Sequence, residues 1–192
     1  MSEVAPVTVE TDPAGVLVVR IDRPPVNALG PAVRAGLRAA AARADVGDVS
    51  AVLLAGDERC FSAGGDIHEL RGLTDPEAAG RAHAEYLELY RAWQAVEVPV
   101  VAALRGFVLG GALELALCCD LRIAHPDTFF CASAVRHGLV ESAHSLPRAV
   151  GASFAAEMLF TAREVGAAEA LAHDLVNGLD ADPEGAGLEL AR

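Results

Sequence analysis

Two apolar runs, Ser50–Ala55 and Val100–Leu104, each lead into a glycine-bearing loop and then into a helix start. The loops read Phe61-Ser62-Ala63-Gly64-Gly65-Asp66-Ile67 and Gly106-Phe107-Val108-Leu109-Gly110-Gly111-Ala112-Leu113-Glu114. This strand–glycine–helix pairing constrains the chain more than any other feature. Glycine lets backbone approach a ligand closely, and the first-turn N–H groups of a helix point outward with a partial positive charge. Two such donors converging on one point form an oxyanion hole, which polarises a carbonyl and stabilises the enolate beside it. Glu114 falls about one helical turn beyond Gly111, a position from which a carboxylate could serve that carbonyl.

The rest of the chain supplies alternating strands and helices. Val4 to Glu10 and Gly15 to Asp22 read as a hairpin around the turn at Asp12-Pro13-Ala14-Gly15. Pro31 sits at a first helical position, and Ala32 to Asp45 carries Val33, Leu37 and Ala41 on one face. A long helix is expected from Asp75 to Glu97, with Tyr86, Leu87, Tyr90 and Trp93 on a buried stripe, and Pro99 ends it. Short strands follow at Leu121–Ala124 and Phe129–Cys131, then helices over 152–161 and 164–171. The alternation argues an α/β domain.

With the glycine loops in hand, the chain resembles the crotonase superfamily, the enoyl-CoA hydratases and isomerases. Arg23-Pro24-Pro25-Val26-Asn27-Ala28-Leu29 is similar to the family's opening Arg-Pro…Asn-Ala-Leu signature, and the two loops resemble its first and second oxyanion loops. Similarity continues through Ala124–Arg148 and Glu164–Asn177. It implies the Clp protease/crotonase spiral of ββα units with a shortened C-terminal helical region. On this reading residues 1–178 form a crotonase-like acyl-CoA-binding domain, and 179–192, which are Gly-, Asp- and Ala-rich, a short C-terminal tail.

The resemblance also implies roles, residue by residue. Gly65 and Gly111 are the expected oxyanion donors. Glu114 matches one of two catalytic glutamates, whereas an ungapped match puts Ala134 at the second, where no proton can be carried. Related members place a catalytic carboxylate near the following turn, so Glu141 or His144 could replace the lost base. Val26, Ala28, Ala63, Asp66, Ile67 and Ala134 are expected at the substrate, with Asp66 better suited to cap the next helix. Water addition to a 2-enoyl-CoA is the leading expectation, with isomerisation, decarboxylation or non-catalytic acyl-CoA or acyl-carrier binding as alternatives. The family implies coenzyme A as part of the substrate, no separate cofactor, and a homotrimer or dimer of trimers acting in fatty acid metabolism. The same fold hosts Clp-type serine proteases, but neither Ser62 nor Ser133 sits in a nucleophile-elbow context.

Composition narrows the chemistry further. There is no lysine among the 192 residues, which excludes Schiff-base chemistry, lysine-anchored pyridoxal phosphate and a Walker-type phosphate loop. A formal net charge of −12 argues against a nucleic-acid surface. An anionic CoA would therefore depend on local arginines, of which Arg23, Arg59 and Arg71 flank the signature segments, or on helix N-termini. None of the four cysteines forms a Cys-x-x-Cys pair, and His137, Glu141 and His144 would share a face only on a continuous helix, so no metal site is expected. Cys60 could modulate the site if exposed. Met1 to Pro6 lacks the pattern of a secretion signal, and a cytoplasmic protein is the expectation.

Overall fold

The computed structural model describes residues 5–192; Val4, included in the expected first strand, and the start of the Met1–Pro6 segment lie outside the described residues. Strands β1 (Val7–Thr11) and β2 (Val16–Ile21) form the expected antiparallel hairpin, with Val7 opposite Ile21. From β2 onward the sheet is parallel. β2 pairs with β3 (Ala51–Ala55), β3 with β4 (Val100–Leu104), β4 with β6 (Leu121–Ala124), and β6 with β9 (Gly178–Leu179). A second sheet is built from β5 (Phe107–Leu109), β7 (Phe129–Cys131) and β8 (Val165–Gly166).

The central strands β3 and β4 are buried along their whole length, as parallel strands covered on both faces must be. Successive side chains point to opposite faces. Val52 and Leu54 therefore enter the main core, with Leu37, Leu89, Trp93 and Phe130, while Leu53 and Ala55 enter a smaller one. The main core is covered by α1 (Pro31–Ala44) and α3 (Pro76–Gln94). Pro31 opens α1 and Asp75 caps α3, accepting from the Ala78 N–H at 2.8 Å. The buried stripe of α3 is Ala82, Tyr86, Leu89, Tyr90 and Trp93. Leu87 is exposed rather than buried, because at 100° per residue it lies roughly 120° round the helix from the centre of that stripe.

Four further helices complete the functional side: α2 (Ile67–Gly72), α4 (Gly111–Leu117), α5 (Leu146–Val150) and α6 (Ala152–Thr161), with a 3₁₀ turn at Ser133–His137. Then come α7 (Ala167–Ala172) and α8 (Pro183–Ala191). Residues 179–192, expected to be a short C-terminal tail, thus carry a helix of their own. Residues 178–179 pair with β6, and α8 covers the second face of the sheet, with Ala186, Leu188 and Ala191 packed on Leu53, Val101 and Ile123. Gly187 meets the sheet so closely that a Cβ there would lie 2.7 Å from Leu53 Cδ1. Apart from Leu188, small residues make this contact, and they carry little hydrophobic signal in a sequence. Among the described residues no helix is long and apolar enough to cross a membrane.

Candidate functional site

The two glycine loops lie side by side and are stitched together. Phe61 N–H donates to Arg105 C=O at 2.8 Å, Ser62 N–H to Phe107 C=O at 3.3 Å, and Leu109 N–H to Ser62 C=O at 3.2 Å. Gly64 and Gly110 take positive φ angles of 81° and 49°, conformations open to glycine and costly to other residues. A Cβ on Gly64 would fall 2.3 Å from Leu109 O and 3.0 Å from the Gly111 nitrogen. Among the described residues neither the Gly65 N–H nor the Gly111 N–H has an acceptor. Two unsatisfied donors thus sit on adjoining loops, an arrangement suited to holding one carbonyl oxygen.

The Arg23–Leu29 segment braces the first loop. Asn27 is fully buried; its Nδ2 donates to Cys60 O at 3.0 Å and its Oδ1 accepts from Arg23 N–H at 2.8 Å. Ser62 Oγ donates to Asn27 O at 2.6 Å. Ala63 N–H reaches Val26 O at 2.9 Å, and Leu29 N–H reaches Gly64 O at 2.8 Å. Asp66 caps α2, accepting from His68 and Glu69 N–H groups, and pairs with Arg23 at 2.8 Å. Burial opposes ionisation of Asp66, but Arg23 and the helix N–H groups prevail and hold its carboxyl below the ordinary range.

A cavity of about 440 Å³ opens beside these loops. Its walls include Ala63, Gly65, Ile67, Gly111, Ala134 and Glu141. Glu141 lies against the second loop: a Cβ on Gly111 would be 3.4 Å from Oε1, and one on Gly110 would be 3.3 Å from Oε2. Burial, and then the charge of Glu114, push the Glu141 carboxyl up to about 7. Desolvation disfavours the charged form, and a neighbouring carboxylate adds to this. Glu114 is not part of the cavity wall. It is half-buried on the first turn of α4, where Ser145 Oγ donates a hydrogen bond to its Oε2.

The other expected residues divide. Val26, Ala28 and Asp66 are not part of the cavity wall. Of the two candidates for a replacement base, His144 is exposed and faces Arg148, its Nε2 3.3 Å from Nη1, while Glu141 enters the cavity. Residues 138–144 form a loop, so His137, Glu141 and His144 do not share a helical face. Arg59 pairs with Asp57 at 2.5 Å, and Arg71 is exposed. Cys60 is fully buried, not exposed, and burial pushes its thiol up to about 11.

Three residues near the site carry no signature of their own. Arg34, almost wholly buried, donates to both oxygens of Glu69 at 2.7 Å, to Glu85 at 2.5 Å and to Leu29 O at 2.9 Å. Its guanidinium lies 4.4 Å from the centre of the Tyr86 ring. Tyr86 in turn donates to Leu29 O at 2.9 Å. Only a buried arginine on the helical stripe of α1 could have suggested this link between α1, α2 and α3. Tyr90 donates to Gly111 O at 3.3 Å, fixing α4 against α3.

Residues 11–186 match the enoyl-CoA hydratase/isomerase family. The chain belongs to that family. It is 40% identical over 172 residues to the probable enoyl-CoA hydratase EchA17 of Mycobacterium avium, covering 85% of this chain and 65% of that protein. The corresponding Mycobacterium tuberculosis protein is 39% identical over 174 residues, covering 86% of this chain and 65% of that protein. The chain thus spans just under two thirds of the length of these curated relatives. Among solved structures, the enoyl-CoA hydratase of Mycobacterium smegmatis superposes with a TM-score of 0.88 at 32% identity, over 96% of this chain and 73% of that one. Pseudomonas aeruginosa DspI superposes at 0.91 with 28% identity, over 100% and 75%. The crotonase fold expected from the sequence is the fold observed.

Proposed function

We propose that this member of the enoyl-CoA hydratase/isomerase family adds water to a 2-enoyl-CoA thioester, using Glu141 as the carboxyl group that moves the proton. The observation that carries the reading is the position of Glu141 in the cavity wall, against the loop that bears the Gly111 N–H. The thioester oxygen accepts from Gly65 and Gly111, and these donors gain strength as negative charge develops there. Ionised Glu141 takes a proton from water, and the water oxygen bonds to the β-carbon. The C=C electron pair shifts toward the carbonyl, giving an enolate held by the two donors. Glu141, now protonated, returns the proton to the α-carbon. One carboxyl group can serve both transfers because its pKa lies near neutrality. The charge of Glu114, which accepts a hydrogen bond from Ser145, adds to burial in raising the Glu141 carboxyl.

The assay is hydration of crotonyl-CoA by the wild type and by Glu141→Gln. Loss of a general acid/base should lower kcat by about 100-fold or more, and wild-type kcat/KM should rise with pH through about 7. An unchanged rate in Glu141→Gln sinks the assignment.

A second reading rests on Glu141 being the one carboxylate in the cavity wall among the described residues. A single carboxylate suffices to carry a proton from the α-carbon to the γ-carbon, shifting a 3-enoyl to a 2-enoyl thioester. Turnover of 3-enoyl-CoA without hydration of 2-enoyl-CoA would select it. Binding of both with turnover of neither would select a non-catalytic acyl-CoA-binding protein.

A further inference from the structure

The cavity wall continues beyond the reacting end in a way that specifies an acyl chain. A Cβ on Gly65 would lie 3.3 Å from Tyr86 Oη and 3.4 Å from Leu70 Cδ1, so Tyr86 and Leu70 flank the donor itself. The lining also takes in Leu73, Ala79 and Ala82, and Leu139 and Val140 of the 138–141 loop, with His83, Arg136 and His137 as its basic members. Tyr86, Ala82 and Ala79 are spaced by four and three residues along α3, so they share one helical face. At 1.5 Å rise per residue this face extends roughly 10 Å from Tyr86. Carbon–carbon bonds of about 1.5 Å advance roughly 1.3 Å each in an extended chain, so the wall matches about eight carbons. The Tyr86 end cannot yield, because its hydroxyl is tied to Leu29 O and its ring lies under Arg34. Toward the start of α3 the lining positions are alanines, Ala82 and Ala79, whose side chains end at Cβ and leave room beside the helix.

We propose that the groove between α2, α3 and the 138–141 loop holds a linear acyl chain of about eight carbons, and that Ala82 and Ala79 set its length. This deepens the acyl-thioester reading above and rests on it. Its test needs no turnover, so the two can fail separately. Affinities of butyryl-CoA and octanoyl-CoA are measured by calorimetry on the wild type, Ala82→Phe and Ala79→Leu. The CoA portion is common to both ligands and cancels in their ratio.

Each buried methylene contributes at most about fourfold in affinity, and ordering the chain returns part of it. Octanoyl-CoA should therefore bind wild type roughly 30-fold more tightly than butyryl-CoA. Ala82→Phe fills the groove and should bring the ratio to within about threefold of unity. Ala79→Leu sits nearer the start of α3 on a less buried position, so it provides a milder variant should Ala82→Phe fail to fold, and should reduce the ratio in part. Equal affinities in the wild type, or a ratio that both folded variants preserve, overturn the proposal. A preserved length preference without hydration of any 2-enoyl-CoA leaves the groove standing and removes the hydratase reading.

Discussion

Replacing Glu141 with glutamine should stabilise the protein at pH 8 and do much less at pH 5. Burial and the charge of Glu114 raise this carboxyl from its ordinary 4.5 to about 7 in the folded state. The unfolded chain therefore releases its proton first. Between about 4.5 and 7 the unfolded state binds fewer protons, so stability falls as pH rises through that window and levels off above it. At 1.36 kcal/mol per pH unit the full penalty is about 3 kcal/mol. Glutamine keeps the shape and removes the charge; imperfect pairing of its amide should leave a net gain of about 2 kcal/mol. For a domain of this size that corresponds to roughly 4–8 °C in Tm. Urea titrations of both proteins at pH 5 and pH 8 read the difference directly. The same increment at both pH values would refute the argument, since packing and not charge would then explain it.

The glycine loops and the buried arginine give two further expectations. Gly64→Ala must adopt a positive φ and place its Cβ 2.3 Å from Leu109 O, so it should cost more than about 2 kcal/mol in denaturant titration. Gly65→Ala, whose Cβ would meet only the tips of Tyr86 and Leu70 at 3.3 and 3.4 Å, should cost clearly less; comparable losses in the two variants would contradict the loop geometry. Arg34→Ala leaves Glu69 and Glu85 without their partner, and with Glu85 half-exposed the expected cost is about 3 kcal/mol. A midpoint unchanged in urea would show that the network contributes nothing.

Much of this arrangement was legible in the sequence, for identifiable reasons. The hairpin, α1 and α3 announce themselves by β-branched clusters, Pro31 and Asp75 at helix starts, and apolar spacing. The loops were readable because glycine at a strand end has few other uses. What escaped depends on contacts between distant segments. Whether Glu141 or His144 faces the cavity is decided by how a non-periodic loop folds over α4, which no local pattern encodes. The α8 helix has a start signal in Asp182-Pro183, with Asp182 accepting from Gly185 N–H at 3.1 Å, but apart from Leu188 its packing face is made of small residues. The Arg34 network is invisible because its partners are 35 and 51 residues away.

The three hydrogen bonds that join Phe61 and Ser62 to the Arg105–Leu109 segment have a mechanical meaning. Each loop is the other's template, so the spacing between the two free N–H groups is a property of the seam and not of either loop. Local opening should release both loops together as one cooperative unit. A graft or redesign that alters only one would shift the donor on the other. On the proposed reading, the cup for the substrate oxygen is thus a single part made from two distant stretches of chain.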